Sequence, residues 1–439
     1  MTGSKYTLHE SSERDQLDSL RRLIAALMPA NRFYAQRLAH AGLDKGPTSL
    51  AHFASAMPLT TKRQLVEDQA NYPPFGSNLS YPLDQYTRLS KTSGTTGPGI
   101  RWLDTPQSWS WLLDNWARVY QAAGVTASDR LYFAFSFGPH LGFWTAFESA
   151  MRLGCLCISG GGASSIARLH EILNDAATVL CCTPSYALHL AEVAKREGLS
   201  LSRSSVRLLI VAGEPGGSVP ALRECISSAW NGALVFDHHG MTEVGPVSYQ
   251  CPKRPGVLHV IRSSYIAEII DPSDTSPCGR VLAPGESGEL VLTTLGRFGS
   301  PVLRYRTGDR VRLGAAPICV CGTTDQSLIG GVLDRVDDMV IVRGVNLHPA
   351  ALEQGIRAVA GIVEYRVIVS KISGLDELLV EIEPDPDYPD PLALAVHLES
   401  WLRLTFSLRI PVRPVEPGSL PRFSMKAARW VFQEPNHPF

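Results

Sequence analysis

LYFAFSF (131–137), CLCIS (155–159), TVLCC (178–182), VRLLIVAG (206–213) and ALVFDHHG (233–240) are short apolar runs, and the stretches 143–153, 164–175, 185–197 and 219–229 between them carry helical spacing. Runs this short and apolar read as strands buried on both faces, and their alternation with helices predicts a doubly wound α/β sheet. Ligands of such sheets gather at the carboxyl ends of the strands, which is where the unusual residues of this chain sit. Phe135 and Phe137 close the first run and Gly138 and His140 follow it, Ala212 and Gly213 close the fourth with Glu214 and Pro215 just after, and Asp237, His238 and His239 lie at the end of the fifth.

Upstream, residues 13–41 place Leu17, Leu20, Ile24 and Leu27 at helical spacing, punctuated by Pro29 and Gly42, and predict a helical start. Downstream, from about 255 to 333, strand-like segments such as GELVLTT and DRVRLG alternate with Gly and Pro turns, which predicts a β subdomain on the α/β core. Beyond Asp334-Arg335-Val336-Asp337-Asp338 the runs MVIVRG, VEYRVIVS and ELLVEIEP and a helical stretch near 391–405 predict a small α+β domain, with PDPDYPDP as a loop. The expected organisation is a large N-terminal domain over 1–336 and a C-terminal domain over 337–439.

The chain has 439 residues, about three times the ~150-residue unit that one domain occupies. Lys plus Arg number 41 against 42 for Asp plus Glu, with 19% charged and 44% hydrophobic residues, so disorder and a nucleic-acid-sized basic field are excluded. No window approaches the ~18 apolar residues of a membrane span, and the polar opening MTGSKYTLHESSERDQ lacks a signal-peptide core, so a soluble cytoplasmic protein without a membrane partner is expected. Nine Cys over this length are too sparse for a disulfide framework and point to reduced thiols or a metal site. The sequon Asn78-Leu79-Ser80 carries no weight outside the secretory route.

Lys91-Thr92-Ser93-Gly94-Thr95-Thr96-Gly97 packs hydroxyls and glycines so that main-chain N–H and side-chain O–H groups can face one anion, the composition of a phosphate cradle. It is not a Walker A loop, because Pro98 and Gly99 follow Gly97 where that motif needs Lys-Ser/Thr after its glycine. From composition alone a Ser/Thr/Gly surface turn remains the alternative.

TSGTTG, followed in order by AGEP, HHGMTE, YRTGD and DRVDDMVIVRGVN, resembles the motif series of the adenylate-forming superfamily. FYAQRLAHAGL, MPLTTKRQL and CCTPSYALHLAE make the chain most similar to the phenylacetate-CoA ligase type. The resemblance implies that Ser93, Gly94, Thr95, Thr96 and Gly97 bind the ATP triphosphate and that Gly213, Glu214 and Pro215 line the adenine. It implies a nucleotide-binding segment Asp237-His238-His239-Gly240-Met241-Thr242-Glu243, in which a ring stacks on adenine, the Thr242 hydroxyl meets the α-phosphate and Glu243 holds Mg²⁺. His239 departs from the family's usual Tyr. Asp309 is implied to accept the ribose hydroxyls, and Arg335 to touch the nucleotide near a hinge at Asp337, with Arg343 and Gly344 on the thiol path. Lys426, in a Gly/Pro-rich segment, is implied to swing in on a mobile C-terminal domain and stabilise charge at the α-phosphate.

On the acid side Tyr132, Phe135, Phe137, Gly138 and Ala212 are the candidate pocket, in an aromatic setting that would suit an aryl acid, with plain core positions as the alternative, and the resemblance implies that His140 gates the carboxylate. Cys251, His259, Cys319 and Cys321 form a Cys3His set; from the residues alone zinc and ordinary turn or core positions stay open, and the resemblance implies a structural zinc. The other six Cys read as small core or turn residues. The expected activity is ATP-dependent activation of an aromatic carboxylic acid to an acyl-adenylate and transfer to CoA, with ATP, Mg²⁺ and zinc as cofactors. The alternatives are a stand-alone adenylating enzyme that passes the acyl group to a carrier protein or an amine, and a non-catalytic nucleotide-binding protein. The expected partners are the acid, ATP and CoA or a carrier-protein thiol, with a homodimer as one assembly and no nucleic acid.

Overall fold

The computed structural model describes residues 13–92, 99–214, 216–336, 340–342, 345–347, 349–372, 375–406, 408–423 and 427–433. At its centre a five-stranded parallel sheet runs Leu156–Ser159, Arg130–Phe133, Val179–Cys182, Leu208–Val211, Leu234–Asp237. Its inner strands VLCC and LLIV are buried throughout, because helices cover both faces. Three of the four intervening helices start on a local signal. Ser164 accepts from the Ala167 N–H and Thr183 from the Tyr186 N–H, and Pro184 and Pro220 occupy first-turn positions that need no donor.

The five expected strands are all present but shorter than their apolar runs. LYFAFSF stops at Phe133. Four residues on, Phe137 takes φ 58° and Gly138 φ 51°, a left-handed pair that no strand accommodates and that turns the chain back at the sheet's carboxyl edge. The helical start divides into Glu13–Leu27 and Arg32–His40, because Pro29 interrupts the hydrogen-bond ladder and Asn31 restarts it by accepting from the Tyr34 N–H.

A six-stranded antiparallel sheet follows, in the order Ser248–Cys251, Arg254–Val260, Ser327–Arg335, Tyr305–Leu313, Ser287–Thr294, Tyr265–Ile270. It begins at Ser248 rather than near 255, so Cys251 lies inside it. One apolar core spans both sheets, from Phe133 and Ile210 to Val260, Leu290 and Leu328, and a second fills the other face of the parallel sheet under Leu169, Tyr186, Leu190 and Ile226. The C-terminal sheet runs Val345–Leu347, Val340–Val342, Leu375–Pro384, Ile362–Ile372, Trp430–Phe432, with Val412–Pro414 beside Leu375–Pro384. With the helices Pro349–Ala358 and Pro391–Phe406 it closes its own core around Leu352, Val367, Val380 and Leu398. No described helix is long and apolar enough to cross a membrane.

Candidate active site

The cleft is built at the carboxyl edge of the parallel sheet. The hairpin Arg88–Lys91 with Arg101–Asp104 borders it, and the Lys91 N–H donates to the Pro139 carbonyl at 2.7 Å, tying that hairpin to the 134–140 turn. Ser93, Gly94, Thr95, Thr96 and Gly97, together with Pro215, Asp337, Arg343, Gly344 and Lys426, lie outside the described residues.

The 134–140 turn and the helix Leu141–Arg152 assemble an aromatic group. Phe135 and Phe143 stack at 4.2 Å with planes 12° apart, and Phe137 meets Trp144 and Phe147 edge-on at 5.0 and 5.6 Å. His140 precedes the helix, its ring 5.6 Å from Phe143. Burial pushes its pKa below the ordinary histidine value, with part of the shift offset by the Lys91 main chain. Tyr132 is not part of this group. Strand alternation sends it to the opposite face, where its hydroxyl donates to Glu171 at 2.5 Å within the second core. Ala212 and Gly213 continue the chain past Leu208–Val211, Gly213 at φ 93° beside Thr183.

The next strand delivers the acidic side of the cleft. Asp237 is buried and accepts from the Ser218 hydroxyl at 2.5 Å, and burial pushes its carboxyl up to about 6. His238 is buried edge-on against Trp116 at 4.3 Å, and burial first, then the neighbouring His239, pushes it down to about 3, so it is a neutral core residue near pH 7. His239 turns the other way and places Nε2 2.8 Å from Asp309 Oδ2. Asp309 faces Arg335 across paired strands, and Arg335 Nη1 donates to Oδ1 at 3.2 Å. Gly240 and Met241 pair with Pro246 and Gly245 in a tight hairpin, where a Cβ on Gly240 would stand 2.8 Å from the Gly245 carbonyl.

Thr242 and Glu243 occupy the tip of that hairpin. Glu243 is 5% exposed, accepts from the Tyr305 hydroxyl at 3.3 Å and lies 4.0 Å from Lys62 Nζ. The buried Tyr305 phenol is pushed well up, first by burial and then by the Glu243 charge, with smaller effects from Arg335 and Asp309. Three members of this environment were not among the expected site residues, although Lys62 lies in MPLTTKRQL and Tyr305 in YRTGD. Lys62 arrives because the Thr60 main chain bridges Arg304 and Arg306, Tyr305 belongs to a buried strand, and Arg297 acts from below. Arg297, fully buried, forms a two-bond pair with Asp104 and gives its remaining Nη1–H to the Thr242 carbonyl at 2.7 Å, fixing the hairpin tip.

Away from the cleft, Cys251, His259, Cys319 and Cys321 bring their ligand atoms within 4.8 Å of one another. Cys251 Sγ is 3.7 Å from Cys319 Sγ, and Cys321 Sγ is 3.5 Å from His259 Nε2. His259 Nδ1 lies 3.2 Å from the Asp325 carbonyl; donation to that oxygen selects the tautomer with a free Nε2 lone pair.

Residues 84–298 match the AMP-binding enzyme model and residues 344–433 the AMP-binding enzyme C-terminal domain. The chain belongs to the AMP-binding enzyme family, in its phenylacetate-CoA ligase-like group. It is 31% identical to the phenylacetate-coenzyme A ligase of Thermus thermophilus over 372 residues, 84% of this chain and 80% of that one. Its structure matches a 2-hydroxyisobutyryl-CoA ligase in the postadenylation state with TM-score 0.89 at 26% identity, over 96% of this chain and 89% of that one. Against the same ligase in the thioesterification state the TM-score is 0.70 at 27% identity, over 96% and 90%. The arrangement of this chain is thus more similar to the former state than to the latter. This chain is an AMP-forming acid–CoA ligase: it uses ATP to turn a carboxylic acid into an acyl-adenylate and passes the acyl group to CoA.

Proposed function

We propose that the acid is an aromatic carboxylic acid held by the Phe135–Phe143 group. The observation that carries this reading is the pair of parallel rings 4.2 Å apart beside edge-on Phe137, an apolar setting with one polar neighbour, His140. Apolar and aromatic walls with few polar groups are the usual chemistry of a site for a small aryl ligand. A neutral His140 next to the Lys91 main chain is suited to orient a carboxylate at the boundary between acid and nucleotide. That phenylacetate-CoA ligases act on an aryl acid supports the same reading.

On the nucleotide side we assign the ribose hydroxyls to Asp309, steadied by Arg335, and the α-phosphate to the Thr242 hydroxyl. Ser93–Gly97 take the triphosphate, and Gly213, Glu214, Pro215 and His239 border the adenine, with Asp237, His238, Gly240 and Met241 building the wall behind it. Glu243 fits a magnesium site: a buried carboxylate beside phosphate oxygens is a hard-oxygen donor, and Lys62 is placed to share the same anion. Mg²⁺ there would neutralise phosphate charge. The acid's carboxylate oxygen attacks the α-phosphorus, pyrophosphate departs, and Lys426 stabilises the charge that develops. The 337–439 domain then turns about Asp337, and the CoA thiol enters along Arg343-Gly344 and attacks the acyl carbon, releasing AMP.

The Cys3His cluster fits zinc. Tetrahedral bonds of about 2.3 Å to sulfur and about 2.0–2.1 Å to nitrogen separate two sulfurs by about 3.8 Å and a sulfur from a nitrogen by about 3.5 Å. The observed 3.7 and 3.5 Å match one edge of each kind, and all four ligand atoms lie within 4.8 Å of one another, which supports the reading. Four protein ligands leave no open position for chemistry, which makes the role structural.

Acid-dependent ATP–pyrophosphate exchange over a panel of benzoic, phenylacetic, cinnamic and 2-hydroxyalkanoic acids, followed by competition between CoA and a carrier-protein thiol, tests the reading. Preference for an aryl acid with CoA as acceptor supports it. Preference for an aliphatic acid would reject the aromatic pocket, and transfer only to the carrier would reject CoA.

A further inference from the structure

Resting on the two-step reaction proposed above, the interface between the two parts of the chain assigns a role to the helix that carries most of CCTPSYALHLAE. The helix Pro184–Arg196 buries Tyr186, Ala187, Leu190, Val193 and Ala194. Its other face presents Ser185, Glu192 and Lys195, spaced seven and three residues apart along one stripe. Each of the three meets the C-terminal domain. Arg429 Nη2 donates to Ser185 Oγ at 3.0 Å, Arg422 makes two bonds to Glu192 at 2.7 and 2.8 Å, and Lys195 lies 3.6 Å from both Asp385 and Asp387. Glu214 adds a fourth link: one carboxylate oxygen accepts from the Ser185 N–H at 2.6 Å and the other from the Ala427 N–H at 2.8 Å.

Arg422 decides what these links do. It bonds Glu383, on the Leu375–Pro384 strand of its own domain, and Glu192 on the large domain. The Glu383 bonds travel with the C-terminal domain; the Glu192 bonds exist only while that domain sits against this helix. The observed arrangement is the one that matches the postadenylation state. We propose that Glu192 is a positioning residue for adenylate formation: through Arg422 it selects the domain pose in which the acid is adenylated, with Lys195 and Glu214 as auxiliary contacts.

Glu192→Gln preserves shape and leaves the Arg422–Glu383 pair intact, so the C-terminal domain keeps its own fold. Losing one partly exposed charge-assisted pair should slow acid-dependent ATP–pyrophosphate exchange by about fivefold to tenfold in kcat, with KM for ATP little changed. Thioester formation from supplied acyl-adenylate should hold or rise. Lys195→Glu, which sets three acids against each other on an exposed surface, should act in the same direction. Hydrogen exchange in the 427–433 peptide, which includes the Ala427 N–H, should speed up in both variants without any substrate. Equal loss of both half-reactions, or unchanged rates and unchanged exchange, would overturn the assignment. If the wild type shows no acid-dependent exchange with any acid while the peptide still loosens in Glu192→Gln, the reaction reading fails and the docking role stands.

Discussion

Asp237 ends its strand with a carboxyl that the interior keeps protonated up to about pH 6. Because the folded pKa lies above the unfolded one, this group's contribution to stability is complete below about pH 4 and is lost as pH rises through 6. Asp237→Asn removes that dependence. Its stability relative to wild type, read from urea midpoints, should improve by about 2–3 kcal/mol between pH 4 and pH 7, and a constant difference would remove the titration from Asp237. The aromatic group makes a second residue-scale prediction. Phe143→Leu, which breaks the stack with Phe135, and His140→Ala should reorder the preferred acids by about 10-fold or more in kcat/KM while leaving ATP affinity within about twofold. An unchanged ranking in both variants would place the acid elsewhere.

At the scale of elements, the Cys3His cluster joins the strands Ser248–Cys251 and Arg254–Val260 to the turn that bears Cys319 and Cys321. Glu243 lies eight residues before Cys251, and Asp309 ten before Cys319, so the cluster pins two segments that leave the cleft. Purified protein should carry near one zinc per chain, Cys319→Ser/Cys321→Ser should carry none, and its Tm should fall with exchange activity following. Zinc-free wild type of unchanged Tm would refute this. The order of the elements was legible because LLIV or VLCC has no amphipathic alternative, whereas their ends were not: the turn at Phe137 is a backbone conformation that an aromatic residue does not announce. The cleft divides the same way. Glu243, Asp309 and the four soft ligands stand in short local patterns. Lys62, Arg297 and Glu192 meet their partners across roughly two hundred residues of chain, and nothing local marks a Lys, Arg or Glu for such a meeting.

For the molecule as a whole, the sequence motif around Lys426 gives the broadest prediction. Lys426→Ala should abolish most acid-dependent exchange and spare thioester formation from supplied acyl-adenylate, because a cation delivered by the C-terminal domain serves one pose. Parallel loss of both reactions would mean that the substitution damages folding rather than one chemical step.

The C-terminal core takes in no apolar side chain from the rest of the described chain, and the named links across the seam are ion pairs and hydrogen bonds. An oily seam would behave as glue, because peeling it open exposes apolar area at about 25 cal/mol per Å². A seam of charges is closer to a wet bearing: each bond released is replaced by one to water, so two arrangements can lie close in free energy and exchange on every turnover. Such a bearing also has a dial. Raising ionic strength from about 0.05 to about 0.5 M shortens the screening length from more than 10 Å to less than 5 Å, and the charged side of the balance weakens. The protein should then shift from making adenylate toward spending it, so that the ratio of the two half-reaction rates, rather than either rate alone, follows the salt.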